Sequence, residues 1–78
     1  MDNKITTLNT LKKGQKAKVK KLNVAGKLLS KLLDMGFVDD VEIEVIRRAP
    51  FSDPIELKLL NYHLTLRQSE AALIEVEV

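Results

Sequence analysis

His63 is the one histidine of this 78-residue chain, and no cysteine accompanies it. An imidazole can act as acid, base or metal ligand near neutral pH, but each task needs a second group beside it. No serine, cysteine or further histidine adjoins His63 in sequence, so it reads as a surface side chain on a strand. Asp39, Asp40, Glu42 and Glu44 are close-set carboxylates with the oxygen chemistry that hard cations take. Their spacing lacks the glycine-pinned loop of a calcium site, and the two glutamates alternate with apolar residues, as on the solvated face of a strand. Ser30, Ser52 and Ser69 lack the G-x-S-x-G setting of a nucleophile elbow, and Gly26 alone makes no phosphate-cradling loop. No catalytic, cofactor-binding or metal-ligating residue is therefore assigned. Weak or transient contact with a divalent ion is left open, and a binding role is expected in place of an enzymatic one.

Charge offers a second kind of chemistry. Residues 1–39 carry nine lysines against three aspartates, whereas residues 40–78 carry four basic against eight acidic residues. Lys16, Lys18, Lys20, Lys27 and Lys31 in a basic half raise the question of nucleic acid or an acidic membrane surface. No aromatic residue is interleaved among them to stack on bases, so they are read as solvated faces of one strand and one helix, and no nucleic-acid partner is expected.

The apolar residues are more informative, and they lie mostly in Lys27–Pro54. Leu28, Leu32 and Met35 recur at helix spacing, as do Leu29 and Leu33, which predicts a helix of about two turns with an apolar stripe. Gly36 is placed to end that helix in the left-handed region, with Phe37 folding back on its last turn. The period then changes to two: Val41, Ile43 and Val45 face one way, Glu42 and Glu44 the other. Arg47 and Arg48 lead into a Pro-bounded loop, Ala49–Pro54, stiffened by two prolines and a turn-forming Ser-Asp pair.

The other elements follow in order. Leu8 and Leu11 are spaced to bury together in a helical or irregular turn that ends at Gly14. Gln15–Leu22 alternates Ala17 and Val19 with lysines, a first strand whose coated outer face also discourages edge-to-edge pairing. Ile55, Leu57 and Leu59 give a third strand, Asn61-Tyr62 a hairpin turn with positive φ on Asn61, and Leu64 and Leu66 a fourth strand. Residues 67–72 form one helical turn that Ser69 can cap, and Ile74, Val76 and Val78 alternate as the last strand. The expected architecture is mostly β: a small barrel of about five antiparallel strands, with one helix between the first and second. Residues 1–78 hold no repeat and no linker, so a single domain is expected, near the lower size limit for a self-sufficient core. The absence of cysteine and of any long apolar run in the N-terminal segment fits a cytoplasmic, non-spanning protein.

Five blocks of the chain resemble a known family, the ferrous iron transport protein A (FeoA) family. They are L-x-x-L-x-x-G-Q-K-A from Leu8 to Ala17, K-L-L-D-M-G-F over Lys31–Phe37, V-E-I-E-V over Val41–Val45, R-R-A-P-F-x-D-P-I-E over Arg47–Glu56 and L-T-L-R-x-x-E-A over Leu64–Ala71. The resemblance runs from about Leu8 to Val76, and its L-x-D-M-G-F and R-x-A-P-x-x-D-P-I blocks are specific in combination. It implies an SH3-like barrel in the cytoplasm, accessory to a membrane ferrous iron transporter (FeoB-type) with a cytoplasmic GTPase domain. The same fold resembles the C-terminal domain of metal-dependent repressors, so a transition-metal sensor or chaperone is the alternative implied; a peptide- or nucleic-acid-binding SH3-like domain is a third. Asp40, Ser52 and Asn61 depart from the family, which usually has Gly at each; Asp and Asn keep left-handed turns at modest cost.

A short helix cannot hide Leu28, Leu29, Leu32, Leu33 and Met35 together, so part of that surface, with Phe37 and Phe51, is expected to stay exposed. Either the N-terminal segment covers it through Leu8 and Leu11, or it serves a partner. The partner reading places the contact on Leu28, Leu32, Met35, Phe37 and Phe51, with Lys27, Lys31, Arg47 and Arg48 as a basic rim.

Overall fold

Alternation puts one aliphatic row on the same face of each strand, and the computed structural model, which describes residues 4–48 and 53–78, shows what that face encloses. The elements run β1 (Ile5–Thr7), a 3-10 turn (Leu8–Thr10), β2 (Lys16–Leu22), α1 (Gly26–Met35), β3 (Glu42–Arg48), β4 (Ile55–Leu59), β5 (Tyr62–Leu66), α2 (Gln68–Ala71) and β6 (Ile74–Glu77). They form one antiparallel sheet in the order β1-β6-β2-β3-β4-β5. The inward residues Ile43, Val45, Ile55, Leu57, Leu59 and Val76 retain no solvent exposure. Burying each such side chain contributes about 1.5–3 kcal/mol, so this row decides whether the chain folds.

Two features differ from the sequence expectation. Ile5–Thr7 adds a sixth strand against β6, in register Thr6 with Val76; three residues are too few to carry a period, and the pairing is imposed by the strand beside them. The helix consequently lies between the second and third strands. The sheet also stays open: among the described residues β1 and β5 are its two edges and do not pair with each other. It bends at two bulges, one in β2 between Val19 and Lys21 and one in β3 between Val45 and Arg47. A bulge inserts one residue and re-aims its side chain. Lys20 is the inserted residue in β2.

The helix ends as its sequence predicts. Gly36 takes φ 106, its N–H donates to the Leu33 carbonyl at 3.0 Å, and the Phe37 N–H donates to the Leu32 carbonyl at 3.1 Å. That pair of bonds is a Schellman cap, and the Leu32 and Phe37 side chains join one core cluster as its hydrophobic contact.

Turn chemistry is where local reading fails. The β4–β5 loop is Leu60-Asn61, since Leu59 pairs with Tyr62. Its positive φ of 55 falls on Leu60, whereas the sequence points to Asn61. Ser69 does not cap α2; the helix is preceded by Arg67, whose backbone N–H donates to the Glu70 carboxylate at 3.0 Å. Asp40 takes a left-handed φ of 65, a conformation that aspartate tolerates better than most residues with a side chain. Most of the Ala49–Pro54 loop, residues 49–52, lies outside the described residues.

Candidate functional site

The polar residues with the most chemical potential are not brought together. His63 projects from β5 into solvent, with its nearest ionic contact Glu56 at 3.7 Å. Ser30 and Ser69 are exposed, and Ser52 lies outside the described residues. Asp39, Asp40, Glu42 and Glu44 diverge: Asp40 turns to Lys20, while Glu42 and Glu44 sit on β3 opposite Lys18 and Lys16. Among the described residues no group of three or more His, Cys, Asp or Glu is placed to hold a metal ion.

The outer sheet face explains what the uneven charge does. Cross-strand neighbours are Lys16 with Glu44, Lys18 with both Glu42 and Glu77, Lys21 with Glu75, Lys58 with Glu44, and Arg47 with Glu56. The basic first half of the chain is thus interleaved with the acidic second half. Opposite charges facing each other across strands favour this register, and on this sheet face among the described residues the lysines are interrupted by carboxylates, unlike a basic stripe that follows a phosphate backbone. The bulge lets Lys20 reach Asp40 and, at 3.4 Å, Glu77. Their hydrogen bond raises the Lys20 ammonium and holds the Asp40 carboxyl below its ordinary range, against a smaller opposing effect of desolvation on each.

A cleft of about 460 Å³ opens beside the end of β5, lined by Lys31, Asp53, Thr65, Arg67 and Glu70 among others. Its carboxylates are already engaged. Asp53 accepts the Gln68 backbone N–H at 2.9 Å, and Glu70 accepts the Arg67 N–H at 3.0 Å and lies 3.5 Å from the Lys31 ammonium. This cleft ties α1 to α2 and offers no free acid–base pair.

The helix carries the remaining candidate surface, in two rows. Leu28, Leu32 and Met35 form the core row: Leu32 is fully buried, and the half-buried Leu28 and Met35 pack on the core. Leu29 and Leu33 form the second row, half-buried and 46% exposed respectively. The crowding expected from sequence is therefore present, but its exposed members are different ones. Leu32 and Phe37 are 0% and 1% exposed, so neither can meet a partner directly; the Schellman turn carries Phe37 inward. Phe51 lies outside the described residues.

The expected basic rim is likewise dispersed. Lys31 faces Glu70, and Arg47 opposes Glu56 across β3 and β4. Arg48 is half-buried and donates from Nη1 to the carbonyl oxygens of Leu11 and, at 3.0 Å, Asn9. It pins the 3-10 segment to the sheet, a role visible only once residues far apart in sequence meet.

Leu33, Val38, Leu60 and Tyr62 are 46%, 50%, 61% and 42% exposed. Tyr62 and Leu60 close on Gly36: a Cβ there would lie 2.9 Å from the Tyr62 hydroxyl, 2.8 Å from Leu59 Cδ2 and 3.8 Å from Leu60 Cδ1, while Leu33 and Val38 are joined to Gly36 by backbone hydrogen bonds. Gly36 thus serves both the left-handed cap and the approach of the β4–β5 hairpin to the helix end. Sequence reasoning missed Val38, Leu60 and Tyr62 as surface residues. The available signal was a leucine in a two-residue hairpin loop, where polar or small residues are the rule.

Residues 6–78 match the family described as FeoA domain. The chain is 35% identical over 71 residues to the Fe(2+) transport protein A/Fe(2+) transporter FeoB fusion protein of Porphyromonas gingivalis, covering 91% of this chain and 8% of that protein. The solution structure of iron(II) transport protein A from Clostridium thermocellum superposes with a TM-score of 0.90 at 49% identity, covering 94% of this chain and 45% of that one. A Stenotrophomonas maltophilia FeoA, complexed with zinc and described as a prokaryotic SH3 domain protein, superposes at 0.80 with 24% identity over 91% of this chain and 88% of that one. That last likeness concerns the fold, which is SH3-like. The chain spans less than half the length of the first two relatives.

Proposed function

The chain belongs to the FeoA domain family, and from that premise we propose that it is a non-enzymatic binding module of ferrous iron uptake. In this reading it works in the cytoplasm, docks on a FeoB-type membrane transporter and modulates the transporter's GTP-hydrolysing domain. The observation that carries the proposal is the Porphyromonas gingivalis relative, whose name joins transport protein A and transporter FeoB in one polypeptide. Covalent fusion fixes a high effective concentration, which rewards two units that act together. The dispersed polar residues support a binding role, because among the described residues no nucleophile, base and orienting group converge. Among the described residues no helix is long and apolar enough to cross a membrane. This reading puts the docking face on α1 and its neighbours, and the exposure of Leu33 and the partial exposure of Leu28, Leu29 and Met35 support it.

The test is co-purification of this chain with the tagged transporter in detergent, followed by GTP hydrolysis with and without it. Co-elution and an altered hydrolysis rate are expected; no retention at micromolar concentrations overturns the proposal. A saturable shift of the His63 and Asp39–Glu44 amides on titration with ferrous ion would instead favour a metal sensor or chaperone.

A further inference from the structure

We propose that the C-terminal end of α1 and the β4–β5 hairpin form the docking face for a basic apolar segment of the transporter. Such a segment presents an aliphatic or aromatic side chain flanked by Lys or Arg. The inference rests on the docking reading above and names the surface and the chemistry of its occupant.

Three observations converge on this end of the molecule. The first is apolar exposure: Leu33, Val38, Leu60 and Tyr62 keep between 42% and 61% of their surface in solvent, around the close approach at Gly36. Single exposed leucines are ordinary, but a cluster drawn from a helix, its exit turn and a hairpin tip is the form of a partner site.

The second observation is charge, and it selects the occupant. An α-helix favours anions at its N-terminus and cations at its C-terminus. α1 reverses this order: its first turn has Lys27 and no acidic residue, and its last turn has Asp34 and no basic residue. Asp39 follows just beyond the cap. Neither Asp34 nor Asp39 has an ion-pair partner among the described residues, and Lys31, the nearest lysine of α1, faces Glu70. The helix end therefore carries two carboxylates without an ion-pair partner, adjoining Leu33 and Val38 in the chain, whereas Lys16 and Lys58 beside Leu60 lie in one depression with Glu42 and Glu44. Local rules are broken where function needs them broken, and a Lys or Arg from a partner supplies the missing cation.

The third observation is backbone conformation. Leu60 holds φ 55, an arrangement costly for a residue with a Cβ, while its side chain is 61% exposed. Core packing does not require a leucine there. Its place at the hairpin tip, beside Tyr62, is accounted for by presentation to a partner.

The experiment reverses the acidic rim with Asp34→Lys and Asp39→Lys together, then measures urea unfolding and capture by the detergent-solubilised transporter. The unfolding midpoint should hold or rise, since cations now suit the helix end, while capture should weaken by about tenfold or more. A stable variant captured as well as wild type overturns the inference and leaves the docking reading standing. A wild-type chain that is not captured at all overturns the docking reading itself. A second variant, Leu33→Ser with Leu60→Gly, should fold and lose capture by about tenfold as well; undiminished capture there also counts against this face. Retention of wild type on phosphatidylserine vesicles at physiological salt, lost in neither variant, would overturn the choice of a basic protein segment.

Discussion

On the inner face of the sheet Ile43, Leu57, Leu59 and Val76 lose all solvent exposure, whereas the outer face of the same strands sets Lys16, Glu44 and Lys58 side by side in water. The two faces use the same backbone and different physics. Inward, each side chain contributes in proportion to the apolar area removed from water, and a cavity cannot relax away. Outward, each charge gains little from its neighbour because water screens it. What the outer face gains is definition: slipping β2 against β3 by one residue would turn Ala17 outward and a lysine inward. Four of the nine lysines that give the first half its positive charge, Lys16, Lys18, Lys20 and Lys21, are thus one side of an internal lattice, with stability set inside and register outside.

Phe37→Ala tests the inner face most severely. The ring is 1% exposed and closes the end of α1, so its removal should cost about 3–5 kcal/mol, read from urea unfolding. In a domain of this size that approaches the whole of its stability, and the variant is expected to be largely unfolded at 37 °C. A loss below about 1 kcal/mol would mean that the ring is not the core residue the structure makes it.

Gly36→Ala comes next, because it joins the two faces of α1. The new Cβ meets Leu59 at 2.8 Å and the Tyr62 hydroxyl at 2.9 Å, and a φ of 106 is strained for any L side chain. A loss of about 2 kcal/mol is expected, together with a changed near-ultraviolet signal from Tyr62, the one tyrosine. Unfolding without any perturbation of Tyr62 would place the cost in the cap alone.

How far these elements were legible in sequence follows from the same contrast. Where one physical signal repeats, as in Val41, Ile43 and Val45 or Leu28, Leu32 and Met35, the local pattern and the tertiary structure agree. The Gly36-Phe37 cap was legible because its residue types are demanded locally. β1 was not, since its three residues take their conformation from β6. Arg48 was not, since its partners are carbonyl groups of Asn9 and Leu11, with no side-chain signature. Crowding on α1 was rightly expected, yet counting apolar residues gave the wrong exposed set: it left Phe37 outside and overlooked Leu60 and Tyr62. Periodicity assigns faces within an element; the identity of the covering element is a property of the whole chain.

Leu60→Gly sharpens the contrast from the opposite direction, because it should stabilise. Glycine adopts a φ of 55 without the Cβ penalty, and the lost side chain is 61% exposed. Relief of left-handed strain contributes about 1–2 kcal/mol and the greater freedom of the unfolded glycine removes part of it, for a net gain of about 0.5–1 kcal/mol. A leucine chosen for stability would show the reverse sign.

The smallest effect belongs to the outer face, at Lys20 and Asp40. Their hydrogen bond holds the Asp40 carboxyl below its ordinary value of 3.8 and the Lys20 ammonium above its ordinary value of 10.5. For a carboxyl depressed by folding, the contribution is present above the unfolded value and is lost as pH falls through the folded one. For an amine raised by folding, it is present below the unfolded value and is lost as pH rises through the folded one. The pair therefore stabilises between about pH 4 and pH 10.5 and fades on both sides. Asp40→Asn isolates it, because asparagine accepts the φ of 65 found at this position and keeps the shape of the side chain. The difference in urea midpoint between wild type and Asp40→Asn should be small and flat from pH 5 to 9, and should shrink in acid well below the ordinary carboxylate range. Added salt should also shrink it, as it does for any exposed pair. A difference that persists undiminished at both low pH and high salt would show that Asp40 acts through its backbone turn, leaving the outer face without even this pair.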